Sequence, residues 1–540
     1  MKIYDDFPVY STVKELVLEG AARGGDKREF VFEDDDGAIC ERSFFEVHED
    51  EMRLGAYLRA KGLTPPMKIA ILSENTYMWN VIFYTAAAGG FVIVPMDMRL
   101  GGGEIAGQLE NCACDILFYS AQNEEKAEAV KASAGCTVKH FFPIAEIDAI
   151  LAEGETLRVD YEAAFLSEEV LPENLLTIVY TSGTTGKTKG VMLSHKNIMT
   201  DVNASLRAVT GGHAIAFLPL NHTYSWVTGL FAGLVRCEWG FICTNLRHIY
   251  RDIQNYHPHQ FAAVPLAVEM IYSRIISSAK RKGNYDALMN GIEVSRNFLL
   301  CGFDSRKEFF SEIHENLGGE LEYILCGGAY LNPKIEQFMN DIGIPIMTGY
   351  GLTECSPCVT CSRRDFYKIG SAGLPLDCNE LKIKDPDENG VGEILVKGDN
   401  VMMGYYNDPE STAAVFEDGW FKTGDFGYID EDGFLFFSGR KKNLIILSNG
   451  KNVSPEEIEG LMSDIEFVSE VLVYEENGRI TGEFYLDTDK YPDAKDRLRD
   501  EVLRVNKEMA EFKRISVIKT RDEPFPKTTT LKIIRKNRAQ

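Results

Sequence analysis

Tyr180-Thr-Ser-Gly-Thr-Thr-Gly-Lys-Thr-Lys-Gly190 follows an apolar run, Leu175-Leu-Thr-Ile-Val179. The run predicts a buried strand. Every residue after Tyr180 in the quoted stretch is glycine, hydroxyl-bearing or lysine. Glycines let backbone N–H groups approach a ligand, hydroxyls donate hydrogen bonds, and lysines add positive charge. That combination suits a polyphosphate. Gly186-Lys187-Thr188 fits the end of the GxxxxGK[ST] P-loop, but threonine stands at 181, where the first glycine belongs. The mismatch separates two enzyme classes, and the rest of the chain decides between them.

A chain of 540 residues is too long for one ordinary core and predicts two or more domains. Hydrophobic content of 45% with 11% aromatics predicts a packed globular protein. The net charge of −25 argues against nucleic acid or an acidic membrane surface as a partner. Any anionic ligand must therefore be held by local lysines, helix N-termini or a metal. The N-terminal residues lack a signal-peptide pattern. The longest apolar stretch, residues 81–96, contains Gly89-Gly90 and is short for a membrane span. The expectation is a cytoplasmic protein with no integral membrane segment. Its twelve cysteines read as reduced thiols. Cys355, Cys358 and Cys361 have metal-like spacing, but no second CxxC or nearby His pair completes a zinc site. His257 and His259 read as structural.

Apolar strand-like runs at 68–72, 91–94, 115–119, 322–325 and 344–347 alternate with helical stretches such as 45–61 and 332–342. This predicts layered α/β structure with largely parallel strands. From about Gly373 short strands at 393–396 and 434–437 predict a β-rich subdomain. Ser454-Pro-Glu-Glu457 reads as a helix start. The expected division is a large domain, 1–440, and a small α+β domain, 441–540.

Six further motifs follow the loop in order. They are Leu218-Pro-Leu-Asn-His-Thr223, Gly327-Gly-Ala329, Gly349-Tyr-Gly-Leu-Thr-Glu354, Trp420-Phe-Lys-Thr-Gly-Asp425, Gly439-Arg440 and Pro526-Lys-Thr-Thr-Thr-Leu-Lys532. The series resembles the adenylate-forming superfamily of acyl-CoA synthetases, adenylation domains and luciferases. Gly439-Arg-Lys-Lys-Asn-Leu-Ile and Lys451-Asn-Val-Ser-Pro-Glu-Glu-Ile-Glu459 look most like a fatty acyl-CoA synthetase. The resemblance implies a two-step reaction. A carboxylate attacks the α-phosphate of MgATP, giving an acyl-adenylate and pyrophosphate, and the thiol of CoA then displaces AMP. The protein has to shield negative charge, align the attack and exclude water.

The same resemblance assigns roles. Thr181, Ser182, Gly183, Thr184, Thr185, Gly186 and Lys189 cradle the β- and γ-phosphates. Proline is usual in the family where Thr188 stands. Glu354 is the expected magnesium ligand, with Thr181 a second candidate, since a hard cation prefers oxygen. Thr353 donates to the α-phosphate. Tyr350 offers its ring to adenine, with Gly349, Gly351, Gly327, Gly328 and Ala329 giving close backbone approach. Asp425 accepts from the ribose hydroxyls, and Arg440 contacts ribose or phosphate. Lys532 bridges carboxylate and nucleotide during adenylation, with Lys527 the alternative. His222 takes the place of an aromatic gate to the acyl site. Lys442 occupies the hinge, and Gly450 lines the tunnel for the thiol.

Asn221-His-Thr-Tyr-Ser-Trp226 lacks the aspartate with which amino-acid adenylation domains bind an ammonium group, and no carrier domain follows Lys532. Both point to an uncharged acyl group and free CoA. Phe217, Trp226, Val227, Leu230 and Phe231 read either as the wall of an acyl pocket or as plain core. The alternatives are loading of a separate acyl carrier protein, an aryl acid substrate, a non-catalytic homologue, and a P-loop NTPase. The last needs glycine at 181.

Overall fold

The run at 175–179 extends into a strand, Leu175–Ser182, in a computed structural model that describes all residues except 1–6, 35, 183–187, 245–247, 448–451, 528–532 and 536–540. Thr188–Ser194 forms a second strand. The two pair antiparallel, from Leu175 opposite Ser194 to Ser182 opposite Thr188. The glycine-rich stretch therefore joins two strands of a hairpin. A P-loop joins a strand to a helix, so the element that a P-loop NTPase requires after the loop is replaced by a strand.

Among the described residues this hairpin belongs to a seven-stranded sheet. Leu175–Ser182 runs parallel to Val92–Pro95, and Lys68–Leu72, Ile116–Tyr119 and His140–Pro143 continue the parallel series. The strands at 68–72, 92–95 and 116–119 are almost wholly buried, as near-continuous apolar runs require when helices cover both faces. Helix Tyr77–Ala88 is buried nearly all round. Residues 81–96, short for a membrane span, are the greater part of this core helix and the strand after it. Among the described residues no helix is long and apolar enough to cross a membrane.

The described residues also form a nine-stranded sheet. Its centre is parallel, with Gly240–Ile242, Ala214–Ala216, Gln260–Ala263, Tyr323–Cys326 and Ile346–Gly351 side by side. The predicted strands at 322–325 and 344–347 are displaced by one or two residues. The second extends through Gly349-Tyr-Gly351 because Cys358–Cys361 pairs antiparallel with it. Helices 45–61 and 332–342 appear as Phe44–Ala60 and Pro333–Asp341.

Beyond Gly373 the described residues form a five-stranded antiparallel sheet. Trp420–Ile429 pairs with Leu435–Arg440, and this register sets Asp425 opposite Arg440. A separate core follows, built from Ile445, Ile458, Val473, Phe484, Leu498 and their neighbours up to Ile515. Ser454 caps helix Pro455–Met462 by accepting from the Glu457 N–H. Polar contacts tie this part to helices Pro265–Lys282 and Pro333–Asp341. Lys334 Nζ lies 2.8 Å from an Asp464 oxygen, and Lys280 Nζ lies 3.0 Å from Glu466.

Candidate functional site

The carboxyl ends of the central strands open onto one cleft of about 3250 Å3, the usual place for a ligand in an open α/β sheet. Thr181 and Lys189 reach it from the hairpin, where they are cross-strand partners. His222, Gly327, Gly328, Ala329, Gly349, Tyr350, Gly351, Thr353, Glu354, Asp425, Arg440 and Lys442 line it too. Residues about 260 positions apart in sequence are thus brought together. Ser182 ends its strand. Gly183, Thr184, Thr185, Gly186, Gly450 and Lys532 lie outside the described residues.

Glu354 sits in a short 3-10 turn, Thr353–Cys355, directly after the strand Ile346–Gly351. The Tyr405 hydroxyl donates to its Oε1 at 3.0 Å. Tyr405 also presents its ring to Lys189, whose ammonium lies 4.6 Å from the ring centre. Burial pushes the Glu354 carboxyl above its ordinary pKa, against the Tyr405 hydrogen bond and the attraction of Arg440. A half-buried acid with a raised pKa has unmet need of positive charge. With the Thr181 hydroxyl on the same cleft, these hard oxygens fit a magnesium ion.

Asp425 is 2% exposed. The Tyr350 hydroxyl donates to its Oδ2 at 2.9 Å, and Arg440 Nε lies 3.4 Å from Oδ1. Tyr350 is therefore held at its hydroxyl end. Its ring stacks at 30° on Phe437, with centroids 6.1 Å apart. Sequence reasoning found all three residues but not this bond between them.

The glycines divide into two kinds. Gly328 has φ +86°, a conformation only glycine adopts at low cost. At Gly351 a Cβ would stand 1.9 Å from the Pro357 carbonyl oxygen. The approach it allows is that of the chain to itself, where Leu352 N–H donates to that carbonyl at 2.9 Å.

Of the five residues read as pocket wall or core, Trp226 and Phe231 are wholly buried core. The Trp226 indole donates to the Leu220 carbonyl at 2.6 Å and packs on Phe83. Val227 belongs to the same core yet also borders the cleft. These residues lie in a π-helical stretch, Trp226–Phe231. Such wide turns are common where a helix meets a ligand site. His222 begins the short helix before it, at the cleft.

The flanks of residue 532 also reach the cleft. Lys527, Ile533, Ile534 and Arg535 line it. Lys527 bridges to Ile533 and holds Glu470 at 2.8 Å. Arg535 donates to the Val473 carbonyl and pairs with Glu459. Lys527 is thus committed to an ion pair within its own unit. The three cysteines with metal-like spacing have thiol pKa values raised by burial, which disfavours the thiolate a metal needs.

Sequence reasoning missed Tyr405 and Glu336. Tyr405 lies in a two-residue strand with no motif around it. Glu336, 1% exposed, borders the cleft from helix Pro333–Asp341. Its Oε2 accepts from Gly370 N–H at 2.9 Å, and its Oε1 has no hydrogen-bond partner among the described residues.

A family described as AMP-binding enzyme matches residues 18–406, and its C-terminal domain matches residues 442–540. Fatty acyl-CoA synthetase B of Dictyostelium discoideum is 30% identical over 447 residues, covering 76% of this chain and 66% of that protein. Long chain acyl-CoA synthetase 1 of Arabidopsis thaliana is 29% identical, covering 81% of this chain and 72% of that one. The o-succinylbenzoate coenzyme A synthetase of Bacillus subtilis, solved with ATP and magnesium, superposes with TM-score 0.75 at 22% identity, covering 96% of this chain and 98% of that one. At that identity the likeness concerns the fold.

Proposed function

The chain belongs to the AMP-binding enzyme family, and from that premise we propose that it is an ATP-dependent acid–CoA ligase that forms AMP, with a fatty acid as substrate. The observation that carries the reading is the shared cleft. It gathers the hairpin Thr181/Lys189, the half-buried acid Glu354, the Tyr350–Asp425–Arg440 cluster and the flanks of residue 532. The named relatives support a fatty acyl substrate and CoA as acceptor.

In this reading the hairpin holds the β- and γ-phosphates with the hydroxyls of residues 181–185 and Lys189. Asp425 accepts from the ribose hydroxyls, and Arg440 balances its charge. Tyr350, fixed by Asp425, presents a ring face of set orientation to adenine. Glu354 and Thr181 hold magnesium, which when bound neutralises phosphate charge. Lys532 brings the carboxylate to the α-phosphate and stabilises the charge that builds as two anions approach. Residues 441–540 form the unit that pivots at Lys442, removing Lys532 and bringing Gly450 to the path of the thiol. His222 gates the acyl end. Each half-reaction then uses one face of the small domain. The described residues form no disulfide, which supports a reducing, cytoplasmic setting.

Pyrophosphate release is measured across saturated, medium-chain, long-chain and aryl acids, with CoA, with acyl carrier protein, and with neither. The proposal expects pyrophosphate and AMP with a fatty acid, and thioester only with CoA. Release of ADP, or no turnover with any fatty acid, overturns it. Lys532→Ala is expected to abolish adenylation while sparing thioester formation from supplied acyl-adenylate. Equal loss of both steps rejects the role given to Lys532.

A further inference from the structure

At the opposite end of the nine-stranded sheet, three neighbouring parallel strands begin with metal-ligating side chains. His213 directly precedes Ala214–Ala216, His259 directly precedes Gln260–Ala263, and Glu320 lies three residues before Tyr323–Cys326. The strand at 260–263 lies between the other two, with Gln260 opposite both Ala214 and Tyr323. Backbone bonds lock the entries together: His259 N–H donates to the His213 carbonyl at 3.0 Å, and Glu322 N–H donates to the His259 carbonyl at 2.8 Å. Parallel pairing in this register sets the two imidazoles and the carboxylate side by side. One potential ligand atom from each lies within 4.8 Å of the others.

The local bonding prepares these groups for a cation. His213 Nε2 donates to the His257 carbonyl at 2.8 Å, since a carbonyl can only accept. In the neutral ring, Nδ1 then carries the lone pair. This is the outer bond that orients a metal-binding imidazole. The His213 ring also stacks on Trp239 at 4.4 Å, and its centroid is 4.2 Å from that of His259. His259 Nε2 stands 3.5 Å from Glu320 Oε2. Two ligand atoms about 2.0–2.1 Å from a tetrahedral ion lie about 3.4 Å apart. His259 Nδ1 is buried with no hydrogen-bond partner among the described residues.

We propose that His213, His259 and Glu320 bind one divalent transition-metal ion of the zinc type, with water completing a tetrahedral shell. Two imidazoles and one carboxylate select such an ion over magnesium, which prefers oxygen alone. The site lies at the amino ends of the strands, whereas the cleft lies at their carboxyl ends. Its role is to clamp three strands that carry cleft residues at their far ends, such as Gly327 after Tyr323–Cys326.

The test uses the full protein, treated with chelator and dialysed. Zn2+ binding is followed by calorimetry and Co2+ binding by visible absorption. The proposal expects one saturable site, a tetrahedral Co2+ spectrum without a thiolate charge-transfer band, and a Zn2+-dependent rise in Tm. His259→Ala and Glu320→Gln are each expected to weaken binding by roughly tenfold or more and to leave pyrophosphate release with Mg2+ unchanged. Glu320 is 55% exposed, so Glu320→Gln keeps the test sound if the histidine variant does not fold. Absence of saturable uptake overturns the proposal. So does uptake that survives both substitutions or shows a thiolate band, which places the metal on cysteines such as the exposed Cys301.

Discussion

Glu336→Gln isolates the effect of one buried charge. Burial pushes the Glu336 carboxyl from an ordinary 4.5 up to about 7, and the Gly370 N–H bond offsets only part of that. The folded state therefore binds a proton that the unfolded state releases between pH 4.5 and 7. The sign is fixed: a folded pKa above the unfolded one gives stability that is whole below 4.5 and is lost as pH rises through 7. A shift of that size amounts to about 3 kcal/mol by the top of the window. Glutamine keeps an oxygen for Gly370 but cannot ionise. Its amide also puts a donor where Oε1 has no partner, at a cost of about 1–3 kcal/mol that does not vary with pH. The observable is therefore the pH dependence of the difference in Tm, variant minus wild type. For a cooperative unit of about 400 residues, 3 kcal/mol corresponds to about 3–4 °C. Scanning calorimetry of both proteins from pH 4.5 to 8 should show the difference rising by that amount. A flat difference, or one that falls with pH, refutes the claim that ionisation of Glu336 opposes folding.

Asp425→Asn removes the charge that holds Tyr350 and Arg440, and the KM for ATP in pyrophosphate exchange should rise about tenfold or more, from the loss of charge-assisted hydrogen bonds. An unchanged KM excludes Asp425 from the nucleotide site. Tyr405→Phe removes a hydrogen bond that lowers the Glu354 pKa. The acid limb of the pyrophosphate-release profile should move to higher pH, and an unmoved limb separates Glu354 from metal or nucleotide binding. Gly351→Ala sets a Cβ 1.9 Å from a backbone oxygen, whereas at Gly327 the nearest atom is 3.5 Å away. Thermal unfolding should show Gly351→Ala destabilised by about 2 kcal/mol or more and Gly327→Ala nearly unaffected. Equal effects of the two refute the close approach.

Local patterns in the chain were a sound guide to what depends on neighbouring residues. The strand at 175 and the helix cap at Ser454 follow from an apolar run and a hydroxyl before proline. Motif order brought Glu354, Tyr350, Asp425 and Arg440 forward, and they do meet in one cleft. Contacts set by packing were not legible. Tyr405 reaches Glu354 across 51 residues of sequence from a strand of two residues, too short to carry a period. The Tyr350–Asp425 bond spans 75 residues and joins strands of two different sheets, so only the packing of those sheets creates it. His213, His259 and Glu320 share no sequence motif. Three parallel strands starting at one level put them together.

The hairpin also changes what the glycine-rich loop can do. A P-loop adds the N-terminus of a helix to its glycines, so backbone N–H groups and the helix dipole attract phosphate together. A loop between antiparallel strands lacks that dipole, and in a chain of net charge −25 the long-range field repels an anion. The attraction must then come from side chains. That accounts for a composition of hydroxyls and lysines where a P-loop needs mainly backbone. It also accounts for Lys189, which stands on the returning strand opposite Thr181 and lies against Tyr405, the residue that holds Glu354. One cation and one acid are thus fixed to the same aromatic ring. Any shift of the hairpin that moves Lys189 bears on Tyr405, and through its hydroxyl on the acid proposed to hold the metal. In the proposed function, phosphate grip and metal site are therefore mechanically joined through Tyr405.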